Sequence, residues 1–284
     1  MRPHSGMVHG KAEVDLSIII PCFNEASSIA QTVVDLCDAM EEQNISYEIL
    51  CINNNSTDGT GDVLLDLASK YMSVRYTSSP YISGYGIAVR WGLEHYVGKS
   101  VVICMGDGSE SPADVVRFFK KLNDGYDCVF GSRFMGGSTL EGYPRFKLLL
   151  NRIGNKLIAA VTHFDYDDFT NGFKCYRREL IEAISPLFSE SFNLTVEMSV
   201  SAILNHPTIA IVPNSWRERR GGASKFRVLD ETKLYLMTLF YSYLRRKIQG
   251  ESWNIFRQSV VDKSIMHQEQ ISKVAPSADG THCD

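Results

Sequence analysis

The sequence predicts an α/β fold: a single domain on a mostly parallel sheet with helices on both faces. Three observations predict it. Short apolar runs alternate with helically spaced segments through the first half of the chain. The strands are continuously apolar ("VVIC", 101–104), as strands buried on both faces are. Polar, turn-forming stretches leave the strands repeatedly at the same end.

Taken in order, "DLSIIIP" (15–21) is a first strand ended by proline. "SSIAQTVVDLCDAMEEQ" (27–43) repeats apolar residues at Ile29, Val33, Leu36 and Met40, a helical stripe. "YEILCIN" (47–53) is a second strand, "TGDVLLDLASKY" (60–71) a second helix, and "SVRYTS" (73–78) a short third strand. A helix over about 84–96, a strand at 101–105, the helix "ADVVRFFKKLND" (113–124) and the strand "DCVFG" (127–131) follow. The second half is less regular: "YPRFKLLLNRIGNKLIAAV" (143–161) and "TVEMSVSAILNH" (195–206) read as helices, and "TIAIVP" (208–213) as a strand. Residues 1–14 are expected to be a flexible N-terminus and 250–284 a disordered tail, both polar and without pattern.

Bulk composition narrows the function classes. The chain of 284 residues is 44% hydrophobic and 22% charged, ordinary for a globular protein with a large core. A net charge of −4 gives no global basic field, so no nucleic-acid partner is expected. Seven cysteines without a CxxC pair read as reduced thiols in a cytoplasmic setting. No signal peptide and no membrane-spanning run is expected; "KLYLMTLFYSYLRRKI" (233–248) holds roughly half of the ~20 apolar residues a span needs.

In an open α/β sheet the ligand lies beyond the carboxyl ends of the strands. "PCFNE" (21–25), "NNNSTDGT" (53–60) and "GDGSESP" (106–112) sit there, and together they predict a shared nucleotide site. A dinucleotide fingerprint is excluded: no glycine occurs in "PCFNEA", and "GYGIAVRWG" (84–92) has Val89 where the third glycine belongs. There is no P-loop pattern either.

"SIIIPCFNEASSI", "NNNSTDGT", "GYGIAVRWGL", "GDGSESPAD", "GSRF", "DFTNGFKCYRREL" and "WRERRGGASKF" resemble, in this order, the family 2 glycosyltransferases. They look most like the dolichol-phosphate mannosyltransferase branch, the polyprenyl-phosphate glycosyltransferases, over about residues 15–240. The resemblance implies a GT-A (Rossmann-like) domain over 15–228, a nucleotide-sugar donor such as GDP-mannose or a UDP-sugar, a divalent cation (Mg2+ or Mn2+), inverting transfer and a polyprenyl-phosphate lipid acceptor. Position by position, it implies that Pro21, Asn24, Glu25 and Asn54 frame the donor pocket, Asn54 standing where the family usually has an aspartate. Asp107 matches the second aspartate of the family's DxD-like motif, while Met105 holds the place of the first; Ser109 and Glu110 are the remaining candidate metal ligands. Arg133, Lys147 and Asn151 match positions that hold the acceptor phosphate.

The chemistry suits these residue types. A hard cation often takes only one or two carboxylates plus the substrate's phosphates, so Asp107 alone suffices in principle; the other reading of Asp107 is an Asx turn between two glycines. A phosphate acceptor is already an anion and needs cations, which Arg133 and the basic helix 143–161 supply, whereas a hydroxyl acceptor needs a general base. In "WRERRGGASKF", Arg219, Ser224 and Lys225 are expected to close over the donor diphosphate, with Arg219 assisting Asp107 and Arg133 in catalysis. Asp168 and Lys174 of "DFTNGFK" are expected to line the acceptor cleft or to pair with each other, and Glu197 to orient the sugar or answer a buried arginine. Residues 229–249 form an amphipathic helix suited to a membrane surface, to docking on the domain, or to a subunit contact. The expected setting is therefore the cytosolic face of a membrane, held peripherally, with a homo-oligomer or a membrane-anchoring partner as further expectations. Two rival functions are transfer to a hydroxyl of a glycan or small molecule, and a degenerate nucleotide-binding relative without turnover.

Overall fold

A computed structural model describes residues 14–143, 145–217 and 228–249. Expectations for the two termini and for Arg219, Ser224 and Lys225 fall outside these residues. In chain order the elements are β1 (Leu16–Cys22), α1 (Ile29–Glu42), β2 (Tyr47–Asn53), α2 (Thr60–Lys70), β3 (Val74–Ser78), α3 (Tyr85–His95), β4 (Ser100–Ile103), α4 (Pro112–Asn123) and β5 (Cys128–Ser132). There follow β6 (Leu140–Glu141), α5 (Arg145–Thr162), β7 (Lys174–Arg177), α6 (Arg178–Ile184), α7 (Leu194–Leu204), β8 (Ile209–Pro213), β9 (Trp216–Arg217) and α8 (Val228–Gln249).

The main sheet has seven strands in the order β3-β2-β1-β4-β7-β5-β8, all parallel except β7, which runs antiparallel to both neighbours. Alternation along β1 sorts the core into two layers. Leu16, Ile18, Ile20 and Cys22 pack with α1, α2 and α4, while Ile19 faces the layer of α3, α6 and α7. Burying each such isoleucine contributes about 1.5–3 kcal/mol. Six of the cysteines are buried and unbridged in these layers, as the reduced-thiol expectation requires.

Strand order reverses between β1 and β4: the chain steps from β1 to β2 and β3 on one side, then crosses to β4 on the other. In open α/β sheets the ligand crevice lies at such a switch point, at the carboxyl ends of the two strands. Pro21 sits at its lip without losing a ladder bond. Cys104 N–H donates to the Ile19 carbonyl and Asn54 N–H to that of Cys22, so Ile19 and Pro21 face β4 and Cys22 faces β2; β4 has ended by the level of Pro21.

Two elements depart from the sequence expectations. The strand expected at 101–105 stops at Ile103, because Met105 N–H turns away to the Glu110 carboxylate (3.0 Å). β7 was not foreseen, being four residues directly behind a polar loop; only its neighbours β4 and β5 make "KCYR" a strand. No described helix is long and apolar enough to cross a membrane.

Candidate active site

Side-chain hydrogen bonds stitch the loops that leave β1 and β2 into one wall. Asn24 adopts a left-handed backbone (φ 56°), and its Oδ1 accepts from Thr57 N–H at 2.8 Å while Ser56 Oγ accepts from Asn24 N–H at 3.1 Å. Glu25 N–H donates to Thr60 Oγ1 (2.9 Å), and the Glu25 carboxylate accepts from Ser28 Oγ (3.1 Å). Asn54 is buried, and its Oδ1 accepts from Gly84 N–H at 3.3 Å, which fixes the amide orientation and ties β2 to the start of α3. All four expected donor residues thus gather at one crevice, with much of the Asn24 amide spent on holding the wall.

Opposite them stands the turn after β4. Thr32 Oγ1 on α1 donates to the Gly106 carbonyl (3.2 Å), and a Cβ at Gly106 would come within 3.4 Å of Glu25 Cγ, so the two walls touch. Gly108 has φ +69°, a backbone that favours glycine. Asp107 Oδ1 accepts from Ser109 N–H (3.1 Å), the Asx turn anticipated from sequence, while its second oxygen has no hydrogen-bond partner among the described residues. Burial and the Asp107 charge push the Glu110 carboxyl up to about 7, against the opposing pull of Met105 N–H and the Ser109 hydroxyl. A carboxyl group whose ionisation a neighbouring carboxylate opposes suits a divalent cation, which would relieve it. Among the described residues no three ligating side chains cluster, so such a cation would complete its shell from phosphate and water.

The same turn anchors the segment leading into "RERRGGASKF". Arg217 N–H donates to the Ser109 carbonyl (3.1 Å), Glu110 bridges to Trp216, and Asp114 Oδ2 on α4 accepts from Ser215 N–H (2.7 Å).

On the acceptor side the structure redistributes the expected pairs. Arg133 grips Asp168 as a fork, Nε to Oδ2 at 2.8 Å and Nη2 to Oδ1 at 2.7 Å, with Arg133 N–H adding a third bond. Asp168 is 0% exposed and cannot line the cleft; it positions Arg133. The expected Asp168–Lys174 pair is not formed either. Lys174 lies inside the fold, where its ammonium donates to the carbonyls of Phe169 (3.1 Å) and Asn171. Burial lowers its pKa to about 7, with Asp168 pulling the other way. Its length and polarity in "TNGFK" suggested a ligand-facing cation; the β7 position behind Phe130 and Tyr166 encloses it instead. Asn151 Nδ2 donates to Thr170 Oγ1 (2.6 Å), which pins α5 to the 166–171 loop. Lys147 lies on the first turn of α5, and its side chain falls outside the described atoms.

Glu197 is fully buried and accepts from the N–H groups of Phe188 and Ser189, tying that turn to α7 away from the crevice. The sequence reading missed Asp167, which accepts from Ser132 Oγ (2.6 Å) and Arg152 (3.2 Å), and Tyr143, whose ring lies 5.8 Å from the Arg133 guanidinium. An acid doublet at 167–168 facing "GSR" was the available signal for the first; nothing local marked the second.

With this geometry in hand, three comparisons agree. The family model described as "Glycosyl transferase family 2" matches residues 17–185. The polyprenol monophosphomannose synthase of Mycolicibacterium smegmatis is 29% identical over 216 residues, 73% of this chain and 79% of that protein. Glycosyltransferase AglJ of Haloferax volcanii is 29% identical over 211 residues, 72% of this chain and 64% of that protein. Among solved structures, glucosyl-3-phosphoglycerate synthase from Mycobacterium tuberculosis, in complex with Mn2+, UDP and phosphoglyceric acid, has the same fold. Its TM-score is 0.61 at 22% identity, over 81% of this chain and 79% of that one.

Proposed function

The chain belongs to glycosyl transferase family 2, and from that premise we propose that it moves a hexose from a nucleotide sugar to a polyprenyl phosphate with the help of Mg2+ or Mn2+. One observation carries the reading. At the β1/β4 switch point Asp107 keeps one carboxylate oxygen uncommitted beside Glu110, on a turn whose Gly106 abuts Glu25 of the opposite wall. A bound divalent cation would neutralise charge on the departing nucleoside diphosphate. Asp107 would hold it, with Glu110 beside it. The bond from the sugar's anomeric carbon to the donor phosphate breaks, its electron pair leaving with the diphosphate. An oxygen of the acceptor phosphate forms the new bond from the opposite face, inverting the carbon.

The acceptor side supports an anion that needs no deprotonation. Its acids are already spent, Asp167 on Ser132 and Arg152 and Asp168 on Arg133, while Arg133 is held in place as a cation. The 29% identity to a polyprenol monophosphomannose synthase supports the same acceptor class, and an acceptor of that class would place the chain at a membrane surface. A hydroxyl acceptor is the second reading, for which Glu110, held beside the Asp107 turn by Met105 N–H, is the carboxylate that would serve as base.

The test is a panel of GDP- and UDP-sugars against polyprenyl phosphates and hydroxyl acceptors, with Mg2+, Mn2+ or a chelator. Transfer to the lipid phosphate is expected, lost on chelation and lowered about 10²–10³-fold by Asp107→Asn. Transfer to hydroxyl acceptors alone, or turnover indifferent to chelation and to Asp107→Asn, overturns the proposal. Nucleotide binding without any turnover, hydrolysis included, would instead identify a degenerate relative.

A further inference from the structure

Tyr85 opens α3 with a hydroxyl that the fold leaves unspent. The residue follows Gly84, whose N–H is held by the buried Asn54 amide of the donor wall. Its ring stacks on Phe192, with centroids 4.5 Å apart and planes 13° from parallel, which fixes the direction of the phenol. The hydroxyl lies against the turn that follows the 166–171 loop: a Cβ at Gly172 would come within 2.8 Å of Tyr85 Oη, so glycine at 172 leaves the room it occupies. Ile103 at the end of β4, Asn171, Lys174 and Thr195 line the same recess, which is too narrow to admit a water.

A tyrosine enclosed this far ordinarily spends its hydroxyl on a partner. Among the described residues Tyr85 Oη has none, yet it is not sealed off as the unpartnered hydroxyls of Tyr96 and Ser242 are. Burial, and after it the Glu110 charge, raise the Tyr85 pKa, so the group stays a neutral phenol with a proton to donate. Position and chemistry together identify its partner. The donor wall is one residue away through Gly84, Glu110 of the cation turn acts on the phenol, and Gly172 follows the loop whose Asp168 holds Arg133. A hexose in transit has to lie among these three, because it leaves the donor diphosphate on one side and meets the acceptor on the other. The Glu110 carboxylate would repel a phosphate at this point, whereas a sugar hydroxyl is neutral and pairs with a phenol as donor or acceptor.

We propose that Tyr85 is a specificity-determining residue, its hydroxyl bonding one hydroxyl of the transferred hexose while Gly172 keeps the space it needs. The inference rests on the proposed nucleotide-sugar donor and deepens it, since it assigns the choice of sugar to the first residue of α3. A site built to pair a substrate hydroxyl rejects a donor that lacks it, because the phenol is then left unpaired.

The test titrates the full chain, with Mn2+ present, with GDP-mannose, UDP-glucose, their monodeoxy-sugar analogues, and GDP and UDP alone. For the donor that the wild type takes, Tyr85→Phe should weaken binding at least about fivefold. Its affinity for the sugar-free diphosphate should stay within about twofold. One monodeoxy donor should bind wild type and Tyr85→Phe alike, marking the sugar hydroxyl that Tyr85 touches. A loss equal for diphosphate and nucleotide sugar, or no loss for any donor, overturns the assignment. Thermal unfolding locates the phenol hydroxyl without any ligand: Gly172→Ala should lower the midpoint less in the Tyr85→Phe background than in the wild type, because the oxygen that the new Cβ would strike is gone. Additive losses overturn the packing and the proposal with it. Transfer to hydroxyl acceptors alone, with the monodeoxy pattern intact, sinks the lipid-acceptor reading and leaves Tyr85 standing; lipid glycosylation without that pattern does the reverse. A chain that binds GDP or UDP and gains nothing from any attached sugar overturns both.

Discussion

Replacing Asp168 by Asn removes one charge from a pair that the fold has almost entirely taken out of water. Asp168 is 0% and the Arg133 side chain 10% exposed, and three bonds of 2.7–3.0 Å join them. An asparagine of the same size keeps one carbonyl acceptor but leaves the guanidinium buried and uncompensated. Breaking such a pair costs about 3–5 kcal/mol, a large part of the ~5–15 kcal/mol that stabilises a typical domain. With a urea slope of ~2–3 kcal/mol/M for a chain of this size, the unfolding midpoint should fall by about 1–2.5 M. Arg133→Met alone strands Asp168 in the same way, so the double variant should lose much less than the two single losses together. If Asp168→Asn costs under ~1 kcal/mol, the value of an exposed pair, the site is wetter than the geometry says and Arg133 is not positioned by desolvation.

Two further outcomes test the interior around the site. Lys174 is held near 7 in the folded chain by burial, while an unfolded lysine titrates near 10.4; between these values the unfolded chain holds a proton the folded chain lacks, so this group makes stability rise with pH, by at most ~1.4 kcal/mol per unit. Urea titrations at about pH 7.5 and 9.5 should show that rise flattened in Lys174→Met, and an unchanged slope would refute the assignment. At Gly86 on α3, a Cβ would come within 2.5 Å of the Ser189 carbonyl oxygen and 2.8 Å of Glu190 C, main chain that cannot rotate away. Gly86→Ala should therefore lower the thermal midpoint, at a cost of about 1–3 kcal/mol, although alanine is the better helix former; an equal or higher midpoint would count against this packing.

Local chemistry written in short stretches was legible from the start. Apolar runs such as "SIIIP" and "VVIC" cannot remain in water, their spacing separates strand from helix, and the polar turns behind them place the crevice at the carboxyl end of the sheet. The Asx turn of Gly-Asp-Gly after β4 could be read because its residues are neighbours in sequence and need no distant partner. What depended on residues far apart could not be read. That Asp168 holds Arg133 across 35 positions, that Lys174 points inward, and that "KCYR" is a strand all follow from β7 entering between β4 and β5. The apolar and basic content of α5 and α8 was visible in the sequence, but not which face each helix buries. Docking on α7 consumes one face of α8, and the 166–171 loop ties down the inner side of α5. Side-chain partners are set by three-dimensional proximity, and a linear pattern carries that information only when the partners lie within a few turns of the chain.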